Sequence, residues 1–274
     1  MSDRLIDGYD LVIFDLDGVV YLIDQPIPGA VEAIARLHEA GIPVAYATNN
    51  ASRRAADVAA LLTGMGIPAT PEEVLTSAGA SAAVLADRLP AGAKVLVVGA
   101  DALRAEIEAA GLTVVGKAED RPAAVAQGYG PAVGWADLAE ASVAIRAGAM
   151  WLATNTDKTL PSPRGPLPGN GSLVAALRHA LGRDPDVIVG KPAPALFTTA
   201  AERVGARKAL VVGDRLDTDL EGAVRAGMDG LLVLTGVHTI EDLRAAPAEQ
   251  KATFVAADLG GLFAPAVKAD DYKA

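Results

Sequence analysis

Cysteine is absent from this chain of 274 residues, and aromatic residues make up only 4% of it. The three histidines are scattered at His38, His179 and His238. Without cysteine or clustered histidine, the sequence argues against a zinc site and against a histidine-based catalytic triad. We expect each of the three histidines to lie at the protein surface.

Long apolar runs and clustered positive charge are missing as well. Glycine or charged residues interrupt every apolar run before it could span a bilayer, and the first residues lack the pattern of a signal peptide. These absences predict a cytoplasmic protein with no membrane partner. The formal charge of −10 argues against a nucleic-acid partner, because phosphate backbones are bound by clustered Lys and Arg. A small anionic substrate is compatible with this negative charge, because a bound metal ion can make the electrostatic field inside the site positive.

Two carboxylates follow the apolar run Leu11–Phe14, in the order Asp15-Leu16-Asp17-Gly18. Four bulky apolar residues in a row predict a strand buried on both faces, and ligands gather beyond the carboxyl ends of such strands. Asp15 and Asp17 project to the same side of an extended chain and would address one small ligand, with Gly18 permitting a sharp turn. The alternative is ordinary turn chemistry, because Asp and Gly are common in turns.

Apolar strand-like runs alternate with alanine-rich helical stretches along the chain, which predicts an α/β fold with a doubly wound parallel sheet. The predicted strands of this sheet are Leu11–Phe14, Pro43–Ala47, Val187–Val189, Ala209–Val212 and Leu231–Leu234. The segment 79–183 has strands and helices of its own, so we predict that it is a domain inserted into a core formed by 1–78 and 184–274.

Two further polar clusters follow predicted strands. Thr48-Asn49-Asn50 precedes Ser52, which we expect to cap the next helix, and these groups would form an anion cradle. Lys191 follows Val187–Val189 and is a candidate phosphate clamp. The alternatives are simple helix capping for the first cluster and a solvated lysine for the second.

A fourth cluster, Gly213-Asp214-Arg215-Leu216-Asp217-Thr218-Asp219, again carries a strand into acidic residues. Carboxylates at this spacing indicate metal ligation, and the alternative is an acidic loop. Each cluster is ambiguous alone, but chance seldom places four in succession behind four strands.

Taken together, the clusters at 15–19, 48–50, 190–192 and 213–219 resemble the motifs of the haloacid dehalogenase (HAD) superfamily, subfamily IIA. That subfamily contains phosphatases of phosphoglycolate, glycerol phosphate, pyridoxal phosphate and nitrophenyl phosphate. The resemblance covers nearly the whole chain. It implies a doubly wound HAD core with an inserted α/β cap of the C2 type, which closes over the site and reads the leaving alcohol.

The resemblance also assigns the reaction chemistry. Asp15 would be the nucleophile that attacks phosphorus and forms an aspartyl-phosphate, and Asp17 would protonate the leaving alkoxide and later activate water. Mg²⁺ would be held by Asp15, the backbone carbonyl of Asp17 and Asp214, because a phosphate monoester otherwise repels the carboxylates. Oxygen-rich sites of this kind accept Mn²⁺ too.

Other residues would contact the transferring phosphoryl group or orient the residues that contact it. By the resemblance, Thr48, Asn49 and Lys191 hold the phosphoryl oxygens, with Asn50 beside them in the substrate site. Asp219 would orient Lys191 or metal-bound water without binding the metal directly.

In the inserted domain, the stretch Thr154-Asn155-Thr156-Asp157 resembles the substrate-facing loops of subfamily IIA caps. Asn155 and Asp157 would either hydrogen-bond a polyol or fix the loop itself. Trp135 and Trp151 are predicted to pack in the domain core, with stacking on a substrate ring as the alternative. The resemblance also implies a homodimer formed through the cap.

These observations predict Mg²⁺-dependent hydrolysis of a small phosphorylated metabolite, with glycerol 3-phosphate or phosphoglycolate preferred because the cap loops are polar and aromatics are few. Nucleotides and pyridoxal phosphate are the alternative substrates. An alternative of another class is a receiver-like module that accepts a phosphoryl group, since receivers also combine Asp, Thr and Lys. It is disfavoured because a receiver needs neither Asp17 nor an inserted domain.

Overall fold

A computed structural model of the protein describes residues 4–272. Within them the chain forms fifteen strands and nine α-helices. The strands are β1 (Leu11–Phe14), β2 (Tyr21–Leu22), β3 (Gln25–Pro26), β4 (Val44–Thr48), β5 (Val74–Thr76), β6 (Lys94–Val98), β7 (Thr113–Val115), β8 (Ala124–Gln127), β9 (Met150–Ala153), β10 (Thr159–Leu160), β11 (Leu167–Pro168), β12 (Val187–Ile188), β13 (Ala209–Gly213), β14 (Asp229–Val233) and β15 (Phe254–Ala256). The helices are α1 (Ala30–Glu39), α2 (Ala55–Gly64), α3 (Ser77–Arg88), α4 (Asp101–Ala109), α5 (Trp135–Arg146), α6 (Asn170–Leu181), α7 (Ala195–Val204), α8 (Glu221–Ala226) and α9 (Ile240–Ala245).

The described chain divides into two compact units. The first contains 4–48, 58–75 and 191–272, and the second contains 49–57 and 76–190. The predicted boundaries, with a core over 1–78 and 184–274 and an inserted domain over 79–183, differ mainly in giving 49–57 and 184–190 to the core. Those boundaries stay a prediction.

The first unit is built on a six-stranded sheet in the order β15-β14-β13-β1-β4-β5. The strand β1 lies near its centre and pairs in parallel with β13 on one side and β4 on the other. All four residues of β1 are buried, as expected for a strand covered on both faces. The α/β class and the parallel arrangement of the sheet are therefore confirmed.

The second unit has its own five-stranded sheet, in the order β12-β9-β8-β6-β7, with parallel pairing throughout. The prediction that Val187–Val189 belongs to the first sheet is wrong. The strand in this region, β12, pairs with β9 in the second unit, with Val187 opposite Leu152. An apolar run predicts a strand but carries no information about which strand lies beside it, and β12 is a partly exposed edge strand, with Ile188 40% exposed.

The first sheet also contains two strands that the sequence analysis missed, β5 and β15. Both are three residues long and lie at the two edges of the sheet. Runs this short give no clear period, so apolar patterning does not separate them from loops.

Trp151 and Trp135 have opposite environments. Trp151 is fully buried in the second unit, as predicted, and its Nε1 donates a hydrogen bond to Gln127 Oε1 (2.9 Å). Trp135 begins α5 with 83% of its surface exposed, so the prediction that it packs in the core is wrong. The sequence misleads here because hydrophobicity favours burial without enforcing it, and the first residue of a helix lies at its frayed end.

No helix in the part of the chain that the structure describes is long and apolar enough to cross a membrane. The cytoplasmic location stays a prediction.

The hairpin β2–β3 follows the Asp15–Gly18 segment and turns at Ile23 and Asp24. Ile23 has a φ of 61°, in the left-handed region, and is 40% exposed. A β-branched residue is disfavoured there because its side chain crowds the backbone, at a cost of about 1–2 kcal/mol. Ile23 therefore strains the turn without contributing much burial.

We expect Ile23→Asn to stabilise the protein by about 1 kcal/mol, since asparagine tolerates the left-handed region. The thermal midpoint should rise by about 2 °C, measured by differential scanning fluorimetry. Leu22→Asn is the matched control, because Leu22 is an exposed apolar neighbour whose φ is not positive; it should leave the midpoint unchanged or lower it. An unchanged midpoint in Ile23→Asn would show that the turn carries no such strain.

Candidate active site

The first two candidate residues lie where β1 ends. Asp15 is buried, and its backbone N–H donates to Val212 O of the adjacent strand β13 (2.9 Å). The chain then turns, with Gly18 at a φ of 86° and its N–H donating to Tyr21 O (2.8 Å). Asp17 is half-buried on this turn. The strand pairing thus fixes the carboxylate of Asp15 at the carboxyl edge of the sheet.

Lys191 brings a positive charge to the same edge. Its side chain is 3% exposed, and its ammonium forms ion pairs with Asp15 Oδ1 and, at 2.7 Å, with Asp219 Oδ1. Burial on its own would lower the pKa of Lys191, but attraction to the two carboxylates outweighs burial and raises the pKa. Lys191 is therefore a charged residue of the site, and the alternative of a solvated surface lysine is excluded.

Asp214 follows β13 and is fully buried. Its Oδ2 accepts a hydrogen bond from Val237 N (2.7 Å), whereas its buried Oδ1 has no hydrogen-bond partner among the described residues. Burial and the negative charges of Asp15 and Asp219 raise the pKa of Asp214 to about 8. An unpartnered buried carboxylate oxygen is costly unless a cation or a proton occupies it.

Asp219 completes the acidic group from a π-helical turn at Leu216–Leu220. Its Oδ2 accepts from Arg215 N (3.1 Å) and its Oδ1 faces Lys191, so both of its oxygens are engaged. Burial raises the pKa of Asp219 to about 6 against the attraction of Lys191. This geometry supports the proposed role of orienting Lys191.

The carboxylates of Asp15, Asp214 and Asp219 lie close enough to act together, with one oxygen from each within 4.8 Å of the others. Burial raises the pKa of Asp15 as well, despite the opposing effect of Lys191. When ionised, the three carboxylates and the Lys191 ammonium leave two negative charges in a buried place. A divalent cation balances that charge, and an all-oxygen donor set suits Mg²⁺. The residues present therefore fit a magnesium ion.

Thr48 is the last residue of β4, the other neighbour of β1, and it is buried. Parallel pairing of β1 with β4 and β13 brings Asp15, Thr48 and Asp214 to one sheet edge. With the ammonium of Lys191, two carboxylates and a hydroxyl thus lie at this edge, and groups of these kinds can position and stabilise a transferring phosphoryl group.

Four residues predicted to bind substrate belong to the second unit instead: Asn49, Asn50, Asn155 and Asp157. Asn50 Oδ1 accepts from both the backbone N–H and the hydroxyl of Ser52, at 2.8 and 2.7 Å. The prediction that Ser52 caps a helix is wrong, because α2 begins only at Ala55. Asn50 offers the Ser52 backbone a local turn, which competes with helix formation.

The side chain of Asn155 is tied to its own unit by three hydrogen bonds. Its Nδ2 donates to Asn49 O (2.7 Å) and to Thr154 Oγ1 (3.4 Å), and its Oδ1 accepts from Asp157 N (3.1 Å). Asp157 Oδ1 accepts from Asn49 Nδ2 (3.0 Å). Of the two roles left open for these side chains, this network supports fixing the loop, and substrate contact by them stays a prediction.

The segment Thr235–His238 contacts the site and was missed in the sequence analysis. Val237 donates to Asp214, and His238 is half-buried, with its Nδ1 accepting from Leu216 N (3.1 Å). The prediction that His238 is a simple surface residue is therefore wrong. The only signal was the position of the segment, immediately beyond the predicted strand Leu231–Leu234.

Comparisons with known proteins agree with this geometry. A family model described as haloacid dehalogenase-like hydrolase matches residues 12–113, and a HAD-hydrolase-like model matches residues 188–262. The chain is 52% identical over 254 residues to the D-glycerol 3-phosphate phosphatase of Mycobacterium tuberculosis, covering 93% of this chain and 71% of that protein.

Solved structures give the same picture. The glycerol phosphate phosphatase of M. tuberculosis in complex with magnesium superposes with a TM-score of 0.91 at 50% identity, over 95% of this chain and 79% of that one. The 4-nitrophenylphosphatase of Thermotoga maritima superposes with a TM-score of 0.88 at 34% identity, over 95% of this chain and 98% of that one.

We expect Lys191→Met to destabilise the metal-free protein by about 3 kcal/mol, because Asp15 and Asp219 lose their buried counter-charge. Added Mg²⁺ should recover part of the loss. Lys268→Met, at an exposed position, is the control and should leave the thermal midpoint unchanged. Equal midpoints for the two variants without metal would mean that Lys191 does not balance the carboxylates.

Asn155→Ala separates the two roles left open for the cap loop. If Asn155 fixes the loop, the thermal midpoint falls, because Asn49 O and Asp157 N lose their hydrogen-bond partner. This loss should cost about 1–3 kcal/mol of folding free energy. If it binds substrate, the KM rises while the midpoint holds. We expect the first outcome, and Ser172→Ala, which removes a hydrogen bond from the exposed Ser172 to Lys158 O, serves as the control with little change in either quantity.

Proposed function

Because the chain belongs to the haloacid dehalogenase-like hydrolase family, we propose that it is a Mg²⁺-dependent phosphatase of small phosphate monoesters, with glycerol 3-phosphate as the preferred substrate. The observation that carries the proposal is the buried group of three carboxylates around one lysine at the end of the central strand. The choice of glycerol 3-phosphate as substrate rests on the similarity to the D-glycerol 3-phosphate phosphatase of M. tuberculosis. Phosphoglycolate, pyridoxal phosphate and nucleotides are the competing esters.

Asp15 is proposed as the nucleophile. One carboxylate oxygen of Asp15 forms a bond to phosphorus while the ester P–O bond breaks, and the leaving alkoxide takes a proton from Asp17. Asp17 then removes a proton from water, whose oxygen attacks phosphorus and releases inorganic phosphate. The Asp15 carboxylate is regenerated.

Asp17 is suited to both proton transfers by its place on the turn. It stands two residues beyond the nucleophile and is half-buried, so it exchanges protons with solvent more readily than the fully buried carboxylates.

Lys191 and Thr48 would act on the transferring group. Negative charge spreads over the equatorial oxygens in the transition state, and the ammonium beside Asp15 stabilises it without rearrangement. The Thr48 hydroxyl, held at the end of β4, offers a hydrogen bond from the neighbouring strand. Mg²⁺ bound by Asp15, the Asp17 backbone carbonyl and Asp214 would supply Lewis-acid stabilisation of the same charge.

The test is steady-state phosphate release with Mg²⁺ or with EDTA. The substrates are glycerol 3-phosphate, phosphoglycolate, pyridoxal phosphate and a nucleoside monophosphate. We expect glycerol 3-phosphate to give the highest kcat/KM, and EDTA to abolish turnover. Asp15→Asn should lower kcat on the order of 10³-fold or more, because the nucleophile is lost. Asp87→Asn changes an exposed helical carboxylate and should behave as wild type.

Each outcome against expectation has its own meaning. Equal rates on all four esters would refute the substrate preference and leave the phosphatase class standing. A long-lived acyl phosphate on Asp15 without repeated turnover would favour the receiver-like module. Full activity of Asp15→Asn would refute the aspartyl-phosphate mechanism.

A further inference from the structure

A four-residue segment after β14, Thr235-Gly236-Val237-His238, encloses the proposed metal ligand Asp214 and has no part in the chemistry described above. We call it the Thr235–His238 turn. It belongs to the same compact unit as Asp214 and Gly18. It contacts Asp214, the turn that follows Asp15 and the turn that follows Asp214.

Two backbone N–H groups of the turn bind Asp214. Val237 N donates to the carboxylate oxygen Oδ2 (2.7 Å), and His238 N donates to the backbone carbonyl (3.2 Å). The first bond occupies one carboxylate oxygen and the second fixes the backbone that carries it. The other carboxylate oxygen of Asp214, Oδ1, is buried and has no hydrogen-bond partner in residues 4–272.

The turn also fits against Asp214 by shape. A Cβ on Gly236 would lie 2.0 Å from Asp214 Oδ2, so no other residue fits there without displacing the carboxylate. Gly18 approaches from the other side, and a Cβ there would lie 2.7 Å from the same oxygen and 3.2 Å from Gly236 Cα. The two glycines enclose Oδ2 and restrict the rotation of the Asp214 carboxylate.

Side chains at both ends of the turn connect it to the neighbouring motifs. Thr235 Oγ1 donates to Gly18 O (2.6 Å), which ties the turn to the segment carrying Asp15 and Asp17. His238 Nδ1 accepts from Leu216 N (3.1 Å), which ties it to the chain just after Asp214. Four hydrogen bonds thus join one turn to both acidic motifs.

We propose that the Thr235–His238 turn is a positioning element, which holds Asp214 with Oδ2 occupied and Oδ1 presented to Mg²⁺. The inference rests on the proposed function for the identity of the metal. On this proposal, the affinity for the metal depends on residues that do not contact the metal. Residues that hydrogen-bond to metal ligands generally tune metal affinity in this way.

The experiment measures the dissociation constant of Mg²⁺ by isothermal titration calorimetry on the full chain, beside the thermal midpoint without metal. Thr235→Val keeps the shape of the side chain and removes its hydrogen bond to Gly18, and we expect Mg²⁺ binding to weaken about fivefold. Thr235→Ser restores the hydroxyl and should recover wild-type binding. Gly236→Ala should weaken binding about 10–100-fold.

Thr239→Val is the matched control. Thr239 is the next threonine along the chain, and it caps α9 by accepting a hydrogen bond from Asp242 N. Its loss should lower the thermal midpoint without changing the dissociation constant of Mg²⁺. A purely structural role for Thr235 would give the same pattern and would overturn the inference.

Activity gives a second measurement. In Thr235→Val, activity should fall at low Mg²⁺ and return to the wild-type kcat at saturating Mg²⁺. If wild type binds Mg²⁺ and both Thr235→Val and Gly236→Ala bind it equally well, the turn does not position the ligand, and the proposed function stands. If wild type binds no Mg²⁺, the metal assignment fails and the inference falls with it.

Discussion

The burial of three carboxylates beside a single ammonium is the constraint on which the rest of this structure depends. Ionised, these side chains carry a net charge of two negatives in a place from which water is largely excluded. The cost of such burial is large unless a cation is near, because charges interact strongly in a low-dielectric interior. The raised pKa values of Asp15, Asp214 and Asp219 are the expression of that cost.

The fold supplies this arrangement through contacts between segments distant in the sequence. Asp15 and Asp214 meet because β1 pairs with β13, in a register that sets Phe14 beside Val212. Lys191 is the first residue of its unit after the long excursion of the chain through the second unit. Asp15 and Asp219 therefore gain their counter-charge only when segments far apart in the sequence come together.

How much of this follows from the sequence differs between the parts of the molecule. The strand Leu11–Phe14, the α/β class and the family are readable, because a fully apolar run and acidic residues directly behind it are local signals. The sheet to which Val187–Val189 belongs is not readable, since strand partners depend on the path of the whole chain. The exposed position of Trp135 likewise depends on what lies against its helix.

Within the site, too, some features can be predicted from the sequence and others cannot. Motif residues with charged side chains, such as Lys191 and Asp214, stand out because charge directly behind an apolar run is unusual. The Thr235–His238 turn does not, because it contacts Asp214 through backbone N–H groups and through the absence of side-chain atoms at Gly236. Hydrogen bonds donated by the backbone leave no mark on residue type. Support of a ligand by main chain is thus a feature that sequence reasoning misses systematically.

Charge balance also connects the binding of the metal ion to the binding of the phosphate ester. A phosphate monoester carries negative charge into a protein of net charge −10, towards carboxylates that repel it. A divalent cation neutralises the net charge of the four buried side chains. The phosphate ester then no longer meets two uncompensated negative charges. Because coupling between two ligands is reciprocal, phosphate then strengthens metal binding as much as metal strengthens phosphate binding. We therefore expect the buried negative charge, which costs stability when no metal is bound, to make the affinity of the site for phosphate depend on the metal.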